Sequence, residues 1–274
     1  MAAADAHCPL CGAAAVRDAG RIRTGVVVRC TRCGLGWVDE PSDVVEEELY
    51  GDEFFDTFRE EGFAEEREKT LALHLDTLAR LDPPGRRLLD VGAALGDFMA
   101  MAGARGWQVT GVEPAAAAVA RAATLGRSVL HGGVEHPDLE PESFDAAHLS
   151  HVVEHFPDPF AGLQRTANLL APRGVLALEV PHEFDNLFRQ ARRVARRAGS
   201  ADQLTEEHLW FFNRSTIVRA VADAGLDPEI VRTRSTTPLT SRIPMGGAVK
   251  RAIDVAARRA GRGEVIEVYA RKLA

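Results

Sequence analysis

The stretch Leu88-Leu89-Asp90-Val91-Gly92-Ala93-Ala94-Leu95-Gly96-Asp97-Phe98 decides how this chain is read. Arg87–Val91 has the length and apolar content of a short buried strand, and Asp97–Gly103 starts a helix. Between them lies a turn with glycines at 92 and 96. Such glycines permit tight turning and close approach of a ligand to the backbone. The helix N-terminus that follows offers free N–H groups to an anionic group. The spacing Asp-x-Gly-x-x-x-Gly differs from the G-x-G-x-x-G fingerprint of dinucleotide folds, and a loop of this outline, taken alone, also fits a plain glycine turn.

Downstream, the strand–glycine–helix rhythm repeats. Val109–Val112 is a second strand, followed by Glu113-Pro114. Ala115–Leu125 is an Ala-rich helix stopped by Gly126. Val129-Leu130, Phe144–Leu149 and Gly174–Val180 supply strands three to five, with a helix over Phe160–Leu170. Strands separated by single helices imply right-handed crossovers and a parallel sheet. Glu229–Arg232 and Glu264–Ala270 read as two further strands, with a helix from Ser215 through Ala224 before the first of them. The fold class predicted is α/β, a doubly wound, mostly parallel, seven-stranded sheet. A carboxylate such as Glu113 at a strand end can accept two hydrogen bonds from a ribose diol.

Upstream, Leu71, Leu75, Leu78 and Leu81 continue an amphipathic helix, ended by Asp82-Pro83-Pro84-Gly85. The preceding run over 41–70 is strongly acidic but interrupted by Leu49, Tyr50, Phe54, Phe55, Phe58 and Phe63. It is too aromatic for a free linker and reads as helical turns packed on the next domain. The organisation expected is a Cys-rich unit at 1–40, a helical connector at 41–85 and the α/β domain at 86–274. Helical insertions are expected near 186–212 and 245–261. The helix Asn186–Arg197 is very basic, carrying Arg189, Arg192, Arg193, Arg196 and Arg197. It invites a phosphate, carrier-protein or membrane-surface reading beside the plainer one of a solvated helix face.

The chain has 274 residues and a net charge of −7. That balance argues against general nucleic-acid binding, which needs a surplus of Lys and Arg. No apolar run approaches the roughly 20 residues of a membrane span. The N-terminus lacks the basic region of a secretory signal, so a cytoplasmic location is expected. All 4 cysteines lie in two C-x-x-C-G knuckles, Cys8-Pro9-Leu10-Cys11-Gly12 and Cys30-Thr31-Arg32-Cys33-Gly34. In a reducing compartment this points to metal before disulfides. Two knuckles complete a tetrahedral sulfur site, for which Zn²⁺ is the first choice and iron the minor alternative. Cys8, Cys11, Cys30 and Cys33 are therefore the predicted metal ligands of a zinc ribbon. Four thiolates close the coordination shell, so the ion would be structural.

Four motifs in order make the sequence resemble the class I S-adenosylmethionine-dependent methyltransferases, from about Leu71 to Ala274. They are "LLDVGAALGDF", "VTGVEP", "FDAAHLSHVVEHFPDP" and "LLAPRGVLALEVP", the last with Pro172-Arg173-Gly174 as the turn before strand five. The resemblance implies a Rossmann-like fold and S-adenosylmethionine as cofactor. Asp90, Gly92 and Gly96 would line its methionine part, and Glu113 would hold the ribose. The family often has an acid after strand three. Here His131-Gly132-Gly133-Val134-Glu135 follows instead, so Gly133 and Val134 would serve through backbone groups. Ser150, at the end of strand four, joins the cofactor-facing set.

The N-terminal knuckles make the chain similar to zinc-bearing deoxysugar C-methyltransferases of natural-product pathways. In that family a Glu-His pair in the counterpart of "EEHLWFFNRSTI" is linked to catalysis. By this resemblance Glu207 and His208 are candidate orienting group and base. His151, Glu154, His155 and His182 also follow strand ends, where open α/β sheets place their sites. Of these, His151 is the further catalytic candidate, because histidine suits proton abstraction near neutral pH. Glu154 and His155 could alternatively ligate a metal, although no acid cluster completes an all-oxygen Mg²⁺ shell. His148 alternates with apolar residues and reads as a core histidine. Trp210, Phe211 and Phe212 either wall the acceptor pocket or pack the core. The expected acceptor is a small molecule, first a hydroxyl of a sugar or natural product, with carbon as the second choice. RNA or protein modification through the ribbon is the other alternative. The ribbon itself would cap the site or mediate a homodimer.

Overall fold

The computed structural model describes residues 7–39, 61–187, 190, 204–205, 207–235, 252 and 255–273. The acidic run over 41–60, most of the basic segment 186–197 and most of 236–254 lie outside the described residues.

The N-terminal knuckles are joined by a β-hairpin, β1 (Val16–Ile22) and β2 (Gly25–Cys30), and followed by β3 (Gly36–Asp39). Three consecutive valines on β2 suit a strand, because branched side chains pack well on a pleated surface. Helix α1 (Glu61–Arg80) then buries Leu71, Leu75 and Leu78 along one stripe. Asp82 takes a left-handed φ of 49°, and Pro83 and Pro84 prevent the helix from continuing.

The α/β unit begins with β4 (Arg87–Val91), α2 (Asp97–Ala104), β5 (Gln108–Glu113), α3 (Ala116–Thr124) and β6 (Val129–His131). It continues with β7 (Phe144–Ser150), α4 (Pro159–Leu169) and β8 (Leu170–Pro181). Asp158 caps α4 by accepting the Phe160 and Ala161 N–H groups at 2.9 and 3.0 Å, with Pro159 pre-set at the first turn. Then come a two-residue strand β9 (Trp210–Phe211), α5 (Arg214–Asp223), β10 (Leu226–Arg234) and β11 (Val265–Lys272). Asn213 and Thr216 form a reciprocal capping box at the start of α5.

The main sheet has seven strands in the order β10-β11-β8-β7-β4-β5-β6. The pairings of β6, β5, β4, β7 and β8 are parallel, whereas β11 runs antiparallel to both β8 and β10. This is the predicted doubly wound α/β sheet. Helix α1 packs with α2 on one face, through Leu71, Leu75, Leu78, Phe98 and Ala102. Helices α4 and α5 cover the other face, through Leu163, Ala167, Ile217 and Val221. Strands buried on both faces read as continuous apolar runs, which is why β4 and β8 were legible.

Two details differ from expectation. Strand five starts four residues early, at Leu170. Residues 171–174 are looped out as an irregularity: Phe144 pairs with Leu170 but Ala146 with Val175. Arg173 takes the left-handed φ of 64° needed there. The second difference is β9, which pairs antiparallel with β3 and makes a four-stranded sheet β1-β2-β3-β9. A strand from the distant α/β unit thus completes the ribbon. Cys8, Leu10, Val28, Cys30, Leu35 and Trp37 share one apolar cluster with Phe212, Ile217 and Val221. Among the described residues no helix is long and apolar enough to cross a membrane.

Candidate active site

The glycine loop after β4 requires its residue types. Gly92 and Gly96 have φ of 69° and 74°. A Cβ at Gly92 would also lie 2.5 Å from Val152 Cγ2. The loop is clamped from outside. Arg127 donates to the Leu95 carbonyl at 2.5 Å and to Asp97 Oδ1 at 2.6 Å, and Arg67 donates to Asp97 Oδ2 at 2.7 Å. Burial opposes ionisation of Asp97, but the two guanidiniums outweigh it and hold the carboxyl below its ordinary range. At the end of β5, Glu113 is 7% exposed and accepts the Ala94 and Ala115 N–H groups, each at 2.9 Å. The predicted ribose acid therefore lies against the predicted methionine loop. A carboxylate has about four lone-pair sites, so a diol can add to these two bonds.

Gly133 and Val134 follow β6, whose end is tied to Glu113 by the Gly132 N–H to Glu113 carbonyl bond at 3.0 Å. The carbonyls of Gly133 and Val134 already accept from His136 N and Arg165 Nε at 3.1 and 3.3 Å. Asp90, 3% exposed, accepts from His148 Nδ1 at 2.8 Å. Ser150 turns its hydroxyl to Glu179 Oε1 at 2.5 Å.

The acceptor-side candidates converge from four segments. His151 follows β7 directly and takes a left-handed φ of 56°, an uncommon conformation for a residue with a side chain. Its Nδ1 lies 3.2 Å from Glu154 Oε1 and its Nε2 3.6 Å from Glu179 Oε1. Partial enclosure disfavours the imidazolium, but these two carboxylates outweigh that and raise the His151 pKa. Such a group suits electrostatic stabilisation better than proton abstraction. Glu154, in the 3₁₀ turn Val153–His155, is fully buried. Burial pushes its pKa up, and the surrounding imidazoles of His151, His155 and His208 bring it below the ordinary value.

His155 donates from Nδ1 to the Glu207 carbonyl at 3.1 Å, and its ring meets that of His208 edge-on at 4.9 Å. Burial holds His155 toward its neutral form. His208 Nδ1 lies 2.5 Å from Glu183 Oε1, and both residues are buried. The carboxylate that orients His208 is thus Glu183, from just after β8. Glu207 contributes its backbone carbonyl, and to His155. Sequence reading missed Glu183, although Glu183 follows Pro181-His182 at a strand end. His182 is buried with Nδ1 donating to the Gly263 carbonyl at 3.0 Å, and burial lowers its pKa. It lines a cleft of about 640 Å³ between α5, β10 and residues 182–185, away from His208's partners.

Trp210 and Phe211 serve as strand and packing residues, with Trp210 Nε1 donating to the Phe156 carbonyl at 2.8 Å. The segment bearing His208 is held by the Leu209 N–H to Glu154 carbonyl bond at 2.9 Å and the Val38 N–H to Leu209 carbonyl bond at 2.9 Å. The ribbon is therefore fastened to the acceptor side. Arg29 adds an ion pair to Asp185 at 2.5 Å and covers the Phe184 ring at 4.7 Å. Asn213 donates to the Cys33 carbonyl at 3.0 Å.

The four cysteines carry free thiols, with Cys8–Cys33 and Cys11–Cys30 sulfur separations of 3.5 and 3.7 Å. All four sulfurs lie within 4.8 Å of one another. Sulfurs about 2.3 Å from a tetrahedral centre would be about 3.8 Å apart, so the donor set fits one Zn²⁺. Burial pushes the Cys8 and Cys33 thiols up. For Cys30, burial is outweighed by the Cys33 and Arg32 N–H groups, which bring it down to about 7. Four neighbouring thiolates need a cation to coexist. Two other sets gather ligating atoms within 4.8 Å: Glu154, His155 and His208, and His74, Glu179 and Glu267. The second set is already neutralised by Arg234, 2.6 Å from Glu179 and 2.9 Å from Glu267, and by Arg232, 2.5 Å from Glu267.

A family model described as a methyltransferase domain matches residues 63–230. A ubiquinone biosynthesis O-methyltransferase of Xanthomonas campestris pv. campestris is 39% identical over 108 residues, which cover 36% of this chain and 45% of that protein. The match thus spans less than half of that relative's length. The protein of the same description from Photobacterium profundum is 26% identical over 180 residues, 61% of this chain and 74% of the relative. Among solved structures, the Burkholderia thailandensis 1,6-didemethyltoxoflavin-N1-methyltransferase, with bound 1,6-didemethyltoxoflavin and S-adenosylhomocysteine, superposes with a TM-score of 0.55. It is 19% identical, covering 89% of this chain and 97% of its own, a likeness of fold. The chain belongs to the methyltransferase-domain family.

Proposed function

We propose that this enzyme methylates a hydroxyl group of a small molecule, a sugar or another natural product, with His208 as general base and Glu183 orienting it. The observation that carries this is the buried His208–Glu183 pair at 2.5 Å. A carboxylate on Nδ1 fixes the tautomer whose Nε2 accepts a proton. His208 Nε2 would take the hydroxyl proton as the acceptor oxygen is methylated. S-adenosylmethionine, when bound, supplies the activated methyl group. Asp90, Gly92 and Gly96 hold its methionine part, Glu113 the ribose, and Gly133 and Val134 the adenine through their backbone. Ser150 acts on this pocket indirectly, through Glu179. The imidazolium of His151 would stabilise negative charge developing on the acceptor oxygen.

Two relatives named for O-methyl transfer support oxygen over the carbon alternative. The net charge of −7 disfavours RNA, leaving protein modification through the ribbon as the remaining macromolecular alternative. Zn²⁺ in the Cys8, Cys11, Cys30 and Cys33 site would be structural. Free thiols there suit a reducing cytoplasm. The test is S-adenosylhomocysteine release across a panel of hydroxylated and glycosylated metabolites. Release with such compounds, cut by Glu183→Gln, is expected. Release only with RNA or peptide overturns the reading.

A second reading is favoured by the buried Glu154 Oε2, which has no hydrogen-bond partner among the described residues. Glu154, His155 and His208 would then hold a divalent cation that activates the acceptor hydroxyl in place of a base. Activity lost with EDTA and restored by Co²⁺ would favour it.

A further inference from the structure

Beneath α1, one face of the main sheet carries a line of buried polar side chains from three strands, joined by one from α1 itself. Asp90, His148, His74 and Glu179 are 3%, 2%, 2% and 2% exposed. Asp90 on β4 and His148 on β7 are register partners, as are Ser150 on β7 and Glu179 on β8. His148 Nδ1 meets Asp90 Oδ1 at 2.8 Å, His148 Nε2 meets His74 Nδ1 at 3.0 Å, and His74 Nε2 lies 3.5 Å from Glu179 Oε2. The Phe98 ring stacks on His148 at 3.6 Å and fixes its plane. Beyond Glu179 stand Ser150 at 2.5 Å, His151 at 3.6 Å and Arg234 at 2.6 Å, with Glu267, Arg232 and Tyr269 closing the far end.

Donor and acceptor counting gives this line a direction. A carboxylate only accepts, so His148 Nδ1 carries the hydrogen toward Asp90. The His148 Nε2 lone pair then accepts from His74 Nδ1. At 3.5 Å His74 Nε2 faces the Glu179 carboxylate with no hydrogen-bond partner among the described residues, and it bonds there only when both of its ring nitrogens carry hydrogens. Burying such groups costs free energy unless every member is satisfied, and apolar residues would fill this face at lower cost.

We propose that His148 and His74 are positioning residues that relay the placement of Glu179 to Asp90, coupling the cofactor loop to the acceptor side at His151. The relay rests on the assignment of Asp90 to the cofactor pocket. Coupling of this kind is reciprocal: a change at Glu179 alters cofactor affinity, and cofactor alters the environment of Glu179.

The test is calorimetry of S-adenosylmethionine with the full chain. Asparagine places an amide N–H near the position of histidine Nδ1, and glutamine near that of Nε2. His148→Asn keeps the donor to Asp90 and is expected to stay within about 3-fold of the parent, whereas His148→Gln loses it and weakens binding about 10-fold. Glu179→Gln is expected to weaken binding about 3-fold in the parent background and not at all beside His74→Asn, which keeps the bond to His148 but cannot reach Glu179. Ser150→Ala perturbs Glu179 without breaking its ion pair with Arg234 and should show the same dependence on His74 if Glu179→Gln does not fold. ¹⁵N spectra should give His148 a protonated Nδ1 and an unprotonated Nε2. Equal effects of Asn and Gln at 148, additive effects at 74 and 179, or the opposite tautomer would overturn the relay. A parent that binds no S-adenosylmethionine would instead overturn the cofactor assignment.

Discussion

The two halves of the site are built by opposite strategies. On the proposed cofactor side, consecutive elements do the work: β4, its glycine loop, α2 and the end of β5 all lie between residues 87 and 113. On the acceptor side, the histidines and carboxylates come from residues 151–155, 179–183 and 207–208. The last of these segments is held by the ribbon of residues 7–39, through the pairing of β3 with β9 and the Val38 N–H to Leu209 carbonyl bond. The common chemistry of binding one cofactor is served by one contiguous stretch. The part that selects an acceptor is assembled from pieces that can change separately.

The separation can be broken by attacking the ribbon. If the four cysteines hold zinc as proposed, Cys8→Ser should lose it, lower the melting temperature by roughly 10 °C or more and abolish acceptor turnover, because metal binding is folding free energy in such sites. S-adenosylmethionine affinity should stay within about 3-fold. Metal analysis, thermal scans and calorimetry on one sample decide it. If cofactor affinity collapses with turnover, the halves are not separate.

The mirror experiment removes Glu113, the proposed ribose acid. Glu113→Ala should weaken S-adenosylmethionine about 10³-fold, as expected for the loss of two charge-assisted hydrogen bonds to a ribose diol, and leave metal content at the four cysteines unchanged. Unchanged affinity would remove Glu113 from the pocket. A smaller effect, about 10²-fold on kcat with cofactor affinity unaltered, is expected of Glu183→Gln, measured by S-adenosylhomocysteine release under saturating cofactor. A fall in cofactor affinity instead of kcat would move Glu183 out of the acceptor half.

The smallest effect concerns pH. Burial lowers the folded pKa of His148 and His182 below the unfolded value near 6.5. Groups of this kind contribute stability that is present above about pH 6.5 and lost as pH falls further. His151, raised by Glu154 and Glu179, acts oppositely, its contribution being complete below about pH 6.5 and lost as pH rises through its folded value. The melting temperature should therefore drop on the order of 2–4 °C between pH 7.5 and 5.5. His182→Gln should flatten that drop, and His151→Gln should steepen it.

What was legible in the sequence follows the same division. The strand order of chemistry, the glycine loop, Glu113 and the four cysteines are local patterns whose spacing carries their geometry. Glu183 was not legible because its partner His208 is 25 positions away and nothing local marks the pair. Nor was β9, since Trp210-Phe211 is too short to show alternation and exists as a strand only because β3 offers an edge. His148 looked like an ordinary core histidine, and it is buried. Its role in a polar line depends on His74, brought beside it by a helix 74 positions away.

The pairing of Gly36 with Phe211 also sets a timetable. A ribosome adds about 5–20 residues per second, N-terminus first, so roughly 9–35 s separate the synthesis of these two partners. During that interval the outer edge of β3 is a strand template waiting for its mate. Early capture of zinc by the two knuckles would hold the nascent ribbon in register over this wait. A zinc ion held there would then act before the fold is complete, as a placeholder on the growing chain.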